Sequence, residues 1–137
     1  MPKFSDKSRA RLDTCHPDIV AVLLRVIARR DCTIIEGVRT KERQAELVRT
    51  GKSKTMNSRH LMQADGYSHA VDVGPWPLDW DDSKAFALFA GYVMATADEM
   101  HARGEISHTL TWGGDWDNDG ATRDHSFFDG PHFQLRT

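Results

Sequence analysis

Apolar residues recur along the chain with two periods, one typical of helices and one typical of strands. Four segments have helical spacing, and the longest carries a wide apolar stripe from Phe86 to Ala97 that Gly104 closes. An aspartate at 81 or 82 begins this longest helix. The predicted helices are Ser5–Leu12, a helix opened by His16-Pro17-Asp18, a helix capped by Thr40 that stops at Gly51, and Ser83–Ala102.

Short β-branched or alternating runs lie between these helices and predict strands. They are Cys32–Val38, the last five residues of Ser58–Val73, Thr109–Trp112 and Phe133–Leu135. Gly37 indicates a close backbone approach at the end of the first strand, and Gly74-Pro75 is expected to end the second. This mixture predicts an α+β fold in a single domain, residues 1–137.

Composition narrows the class of protein. Hydrophobic residues make up 39% and charged residues 28% of the 137 positions, as in an ordinary globular chain. The net charge of -2 does not indicate a basic surface that would bind nucleic acid or an anionic membrane. Met1 to Arg11 is polar where a signal peptide would be apolar, so we expect a cytoplasmic protein or export by a route that the chain does not encode. Cys15 and Cys32 are isolated and are expected to be free thiols.

Metal-ligating residues are concentrated between Ser58 and Val73. This stretch contains His60, His69, Asp65 and Asp72. Neutral imidazole and carboxylate suit zinc, whose catalytic sites use about three protein ligands and keep one position open. The best third ligand is His132, where a turn runs into the last short strand. Two strands could therefore bring His60, Asp72 and His132 together.

Five short motifs occur along the chain in a fixed order. They are Glu36-Gly37-Val38-Arg39-Thr40, Ser58-Arg59-His60, His69-Ala70-Val71-Asp72, Trp112-Gly113-Gly114-Asp115-Trp116 and Asp129-Gly130-Pro131-His132. This order resembles that of zinc peptidases of the D-alanyl-D-alanine carboxypeptidase family. The closest likeness is to phage endolysins that act as L-alanyl-D-glutamate peptidases, and it covers nearly the whole chain.

The resemblance implies a fold of the hedgehog/DD-peptidase type, with helices around a small antiparallel sheet that carries one zinc ion. By position, His60, Asp72 and His132 match the zinc ligands. Asp129 matches the acidic general base, and Arg39 matches the arginine that polarises the substrate. Each residue taken alone would more often be an ordinary turn or surface residue, and the joint spacing favours the site.

The spacing of the first two ligands departs from the family pattern. His60 and Asp72 are twelve residues apart where the family usually has seven, so Gln63–Tyr67 resembles an insertion. His69 is nearer to Asp72, but three residues along an extended strand it faces the opposite side of the sheet. We therefore expect His60 to be the ligand and His69 to support the site or to be merely structural.

The loop before Asp129 begins like an EF-hand calcium loop. Asp115, Asp117 and Asp119 occupy positions 1, 3 and 5, and a glycine follows at position 6. Position 12 is Ser126 rather than glutamate, although Asp124 offers a carboxylate. Calcium binding and an acidic turn without an ion are both compatible with this pattern.

The metal-ligating residues and the family resemblance together imply a zinc metallopeptidase of peptidoglycan, a phage endolysin that cuts the L-alanyl-D-glutamate bond to lyse its host. The cofactors are zinc and, through the acidic loop, calcium, and a monomer is expected. One alternative is a D-alanyl-D-alanine carboxypeptidase in cell-wall remodelling, and the other is a non-catalytic zinc module of the hedgehog kind that binds a partner. Asp129 and Arg39 beside three ligands speak against the non-catalytic module.

Overall fold

A computed structural model describes residues 2–120 and 128–136 of the chain. Within these ranges, four helices surround one antiparallel sheet of four strands in the order β1-β2-β4-β3. The predicted α+β class is confirmed. The elements are α1 Asp6–Leu12, α2 Pro17–Ile27, β1 Cys32–Glu36, α3 Lys41–Arg49, β2 Ala70–Pro75, α4 Ser83–Ala102, β3 Leu110–Trp112 and β4 His132–Leu135.

Side-chain caps begin the helices where the polar pattern predicted them. The Thr40 hydroxyl accepts from the Arg43 N–H at the start of α3. The Asp82 carboxylate accepts from the Ala85 N–H at the start of α4. These bonds satisfy N–H groups that have no partner within the helix. The predicted bounds of α4 are confirmed at both ends.

The sheet has one apolar and one polar face. Val71 and Val73 of β2 and Phe133 of β4 are fully buried in a core that α2 and α4 cover. Since side chains alternate along a strand, Asp72 and His132 point to the other face. The core is completed mainly by Ile19, Val22, Leu23 and Val26 of α2 and by Phe89, Ala90, Val93 and Ala97 of α4.

The ends of β1 and β2 differ from the prediction. β1 stops at Glu36 after a register shift between Ile34 and Glu36, two residues before the predicted end. β2 continues through Pro75, which pairs with Cys32 of β1. β4 pairs with β2 only as far as Asp72, so within the described residues Pro75 has a strand neighbour on the β1 side alone. On the β4 side no described strand faces Pro75, and the missing N–H of proline therefore costs no hydrogen bond there.

The close approach predicted at Gly37 is confirmed. A Cβ atom there would lie 2.3 Å from the Arg11 carbonyl oxygen and 2.3 Å from Thr14 Oγ1. Only glycine therefore lets this segment pack on the end of α1. Among the described residues, no helix is both long and apolar enough to cross a bilayer.

Candidate metal centre

Three predicted ligands converge on the polar face of the sheet. Asp72 of β2 and His132 of β4 are direct register partners. His60 reaches them from the loop between α3 and β2, with Nε2 3.1 Å from Asp72 Oδ1. His132 Nδ1 lies 3.2 Å from the same oxygen. The three ligand atoms are all within 4.8 Å of one another, and both imidazoles are buried.

Hydrogen bonds on the far side of each ring decide which nitrogen faces the centre. His60 Nδ1 lies 2.8 Å from the Gly37 carbonyl oxygen, which can only accept, so Nδ1 carries the hydrogen. His132 Nε2 lies 2.9 Å from Gln134 Oε1 and donates to it in the same way. In the neutral rings, His60 Nε2 and His132 Nδ1 therefore point lone pairs at the Asp72 carboxylate.

This convergence of lone pairs fits a metal ion. The negatively charged oxygen of Asp72 repels the two ring lone pairs that face it, unless both rings are protonated or a cation lies between the three groups. Ligand atoms bound tetrahedrally at about 2.0–2.1 Å lie about 3.3 Å apart, close to the separations of 3.1 and 3.2 Å. His60, Asp72 and His132 are thus a candidate metal-binding group.

The charges of this group are strongly coupled. Burial alone would raise the pKa of Asp72, but when both imidazole rings are protonated the hydrogen bonds that His132 and His60 donate outweigh burial and hold that pKa well below the ordinary value. Burial alone would lower the pKa of His132, but the hydrogen bond that its protonated ring donates to Asp72, together with the negative charge of Asp72, raises the pKa of His132. Asp72 is therefore ionised at neutral pH and able to act as a ligand.

Asp129 lies beside the metal-binding group on the β4 side. Its backbone N–H donates to the Gly113 carbonyl at 2.8 Å, and its carbonyl accepts from the His132 N–H at 3.2 Å. Burial and the negative charge of Asp72 raise the pKa of Asp129, against the opposing effect of His132, His60 and Arg39. A half-buried carboxylate with a raised pKa is a good proton acceptor near neutral pH.

Arg39 lies on the opposite side, next to β1. Its Nε donates to Glu36 Oε1, and its Nη1 donates to Gln44 Oε1 at 2.7 Å. Nη2 lies 3.8 Å from Asp72 Oδ2. Glu36 and Gln44 thus hold the permanently charged guanidinium of Arg39 beside the metal-binding group.

Comparison with known proteins identifies the family of this chain. The family model described as phage L-alanyl-D-glutamate peptidase matches residues 1–136. The chain belongs to this family. A relative, the L-alanyl-D-glutamate peptidase of Escherichia phage T5, is 28% identical over 144 residues, with 97% of each chain covered.

A solved structure of similar fold is the Serratia marcescens L-Ala D-Glu endopeptidase ChiX. It superposes with a TM-score of 0.74 at 32% identity, covering 98% of this chain and 91% of the other. The fold and family expected from the sequence motifs are therefore confirmed.

Two glutamines of this family member were not identified from the sequence. Gln44 is fully buried on α3, and its amide nitrogen donates to Ser53 Oγ and the Thr55 carbonyl while its oxygen holds Arg39. Gln134 orients His132. Of the two, only Gln134 could have been identified from the sequence, because a residue two positions after His132 on a strand faces the same side of the sheet as His132.

His69 lies outside the metal-binding group. The 63–67 insertion closes as a turn, with the Gln63 N–H donating to the Tyr67 carbonyl at 2.9 Å. Asp65 at its tip accepts from His69 Nε2 at 2.7 Å, and this bond chiefly lowers the pKa of Asp65. The His69 ring also contacts His16, with centroids 5.4 Å apart. His69 thus belongs to a second polar cluster.

The acidic loop brings its predicted carboxylates together. One oxygen each of Asp115, Asp117 and Asp119 lie within 4.8 Å of one another. Asp115 accepts from the N–H groups of Asp119 and Gly120 at 3.1 and 2.8 Å. The predicted twelfth position, Ser126, and the alternative Asp124 lie outside the described residues.

Proposed function

We propose that this chain is a zinc metallopeptidase that hydrolyses the L-alanyl-D-glutamate bond of peptidoglycan stem peptides, as a phage endolysin. The observation that carries the proposal is the convergence of His60 Nε2, Asp72 Oδ1 and His132 Nδ1 between Asp129 and Arg39. Membership of the phage L-alanyl-D-glutamate peptidase family is the reason for proposing that this bond is the one cleaved.

His60, Asp72 and His132 would hold the zinc ion, because imidazole and carboxylate at these separations match its preferred ligands. When bound, zinc supplies a Lewis acid that polarises a carbonyl and makes water more acidic. The Gly37 carbonyl and Gln134 amide keep the two rings in the tautomers that ligation needs.

Asp129 is proposed as the general base. Its carboxylate takes a proton from the attacking water and later gives that proton to the amine that leaves as the peptide bond breaks. The raised pKa of Asp129 keeps this carboxylate basic enough to accept the proton.

Arg39 is proposed to bind negative charge on the substrate. Since Glu36 and Gln44 hold its guanidinium in place, little conformational entropy is lost on binding. It would face either the oxygen of the scissile carbonyl, which gains charge in the transition state, or a carboxylate of the D-glutamate residue.

Mass spectrometry of purified peptidoglycan digested with the protein tests the cleaved bond. The proposal predicts new amino termini at D-glutamate. Loss of the terminal D-alanine would instead support a carboxypeptidase, and intact peptidoglycan would support a non-catalytic zinc module.

Metal analysis of single variants tests the ligands. His60→Ala is expected to lose bound zinc, whereas His69→Ala is expected to keep one zinc per chain because its ring bonds Asp65 instead. The opposite pattern would show that the insertion changes the ligand set.

Calcium binding by the acidic loop stays a prediction. Three neighbouring carboxylates repel one another, and a hard dication with oxygen preference would relieve that repulsion. Calcium should raise the melting temperature of the wild type but not of Asp117→Ala/Asp119→Ala. No shift relative to a chelator selective for calcium over zinc would contradict the prediction.

We further propose that the chain is made in the host cytoplasm, which membership of a phage family supports, and that it is a monomer. Light scattering of the purified chain tests the monomer.

A further inference from the structure

An exposed aromatic surface adjoins the candidate metal centre. The Trp80 ring stacks on Phe86, with centroids 5.7 Å apart and an interplanar angle of 24°. Phe86 is 4% exposed, whereas Trp80 is 60% and Phe128 47% exposed. We call Trp80, Phe86 and Phe128 the aromatic shelf. Single exposed aromatics are common, but a supported stack with an open ring face indicates a binding surface.

Two glycines place the shelf on the same face of the sheet as Asp72. Gly74 follows Asp72 by two residues, about 6.6 Å along β2, so both positions face the same side. A Cβ on Gly74 would lie 2.5 Å from Leu78 Cδ1 and 3.1 Å from Phe86 Cε1, so the Leu78 side chain and the Phe86 ring together cover the strand there. A Cβ on Gly130 would lie 3.3 Å from both Phe128 Cε1 and Phe86 Cβ. The shelf therefore adjoins Asp129, which lies between Phe128 and Gly130.

The charges around the shelf select a neutral ligand. Asp79, Asp81 and Asp82 are exposed beside Trp80, and Lys84 is the nearby cation in that segment. This excess of negative charge repels carboxylates. Arg39, which attracts carboxylates, lies on the other side of Asp72, next to β1. An acidic part of the substrate is therefore directed toward Arg39 and a neutral part toward Trp80.

We propose that the aromatic shelf binds the glycan of peptidoglycan through the C–H face of an N-acetylated hexosamine. This inference rests on the proposed function. In peptidoglycan the L-alanine nitrogen is joined by an amide to the lactyl group of N-acetylmuramic acid, so the sugar lies one residue from the scissile bond. That amide also removes the lactyl charge. The D-glutamate side, in contrast, carries carboxylates and suits Arg39.

Nuclear magnetic resonance of the zinc-loaded protein tests binding without relying on hydrolysis. The probe is the peptide-free disaccharide of N-acetylglucosamine and N-acetylmuramic acid, with its lactyl carboxyl amidated. The indole N–H signal of Trp80 should shift saturably at millimolar disaccharide, while the signal of Trp76 should not. Trp76 is the matched control, since its side chain is 58% exposed in the same loop and its backbone N–H donates to the Asp31 carbonyl at the far end of β2. No shift at Trp80 overturns the proposal, even if peptidoglycan is cleaved. A shift without any cleavage supports the glycan surface and refutes the proposed function.

Kinetics give the second measurement. The kcat/KM for a disaccharide-linked stem peptide is divided by that for the free stem peptide. Trp80→Ala should lower this ratio about tenfold, the upper range for one aromatic contact, and Trp80→Phe should recover most of it. A merely structural role would lower both rates together and leave the ratio unchanged, which would contradict the proposal. A similar fall of this ratio in Trp76→Ala would also contradict the proposal.

Discussion

Replacing Gln134 with leucine would remove the acceptor that holds the His132 ring in its ligating tautomer. The bond is 2.9 Å from His132 Nε2 to Gln134 Oε1, and His132 Nδ1 faces Asp72 only while Nε2 carries the hydrogen. One hydrogen bond contributes about 0.5–1.5 kcal/mol, or two- to tenfold in a binding constant. Loss of ring orientation adds to this, and partners of metal-ligating histidines typically contribute 10–100-fold. We expect zinc to bind about tenfold more weakly.

Competition with a chromophoric zinc chelator measures this change directly. Gln134→Glu is the control, because a carboxylate keeps an acceptor at the same position and should hold affinity near or above that of the wild type. Gln134 is partly exposed, so neither variant is expected to unfold the sheet. If Gln134→Leu binds zinc within twofold of the wild type, the bond does not orient the ligand.

Three further predictions concern catalysis and stability. Asp129→Asn should keep one zinc but lose hydrolysis by about 10²–10⁴-fold, and near-normal turnover would remove Asp129 from the mechanism. Asp18 accepts three hydrogen bonds from residues 107–108. Asp18→Ala should therefore lower the free energy of unfolding, measured by urea titration, by about 1–3 kcal/mol. A change below about 0.5 kcal/mol would contradict this prediction. Burial raises the pKa of Cys15 and Cys32 to about 12, whereas the unfolded thiols ionise near about 8.5, so stability should fall as pH rises between these values. An alanine variant of both cysteines should lose less stability over that range, and an equal loss would refute the cause.

The regular elements could be predicted because local signals agreed. An aspartate cap, an apolar stripe and Gly104 fixed the ends of α4. The sequence likewise predicted that two strands could bring Asp72 and His132 together, and their register pairing does so.

The surroundings of the site depend on contacts between distant segments and could not be read from periodicity. His60 is oriented by the carbonyl of Gly37, twenty-three residues earlier in the chain. Gln44 is a polar residue on an amphipathic helix, a position that usually faces solvent, and it is buried because Arg39, Ser53 and Thr55 satisfy its amide. The insertion similarly gave no sign that Asp65 would hold His69.

Anomalous diffraction at the zinc absorption edge, from crystals of the zinc-loaded protein, tests the central claim most directly. One peak is expected, bonded to His60 Nε2, Asp72 Oδ1 and His132 Nδ1. A peak among His16, Asp65 and His69 instead, with none beside Asp72, would contradict it.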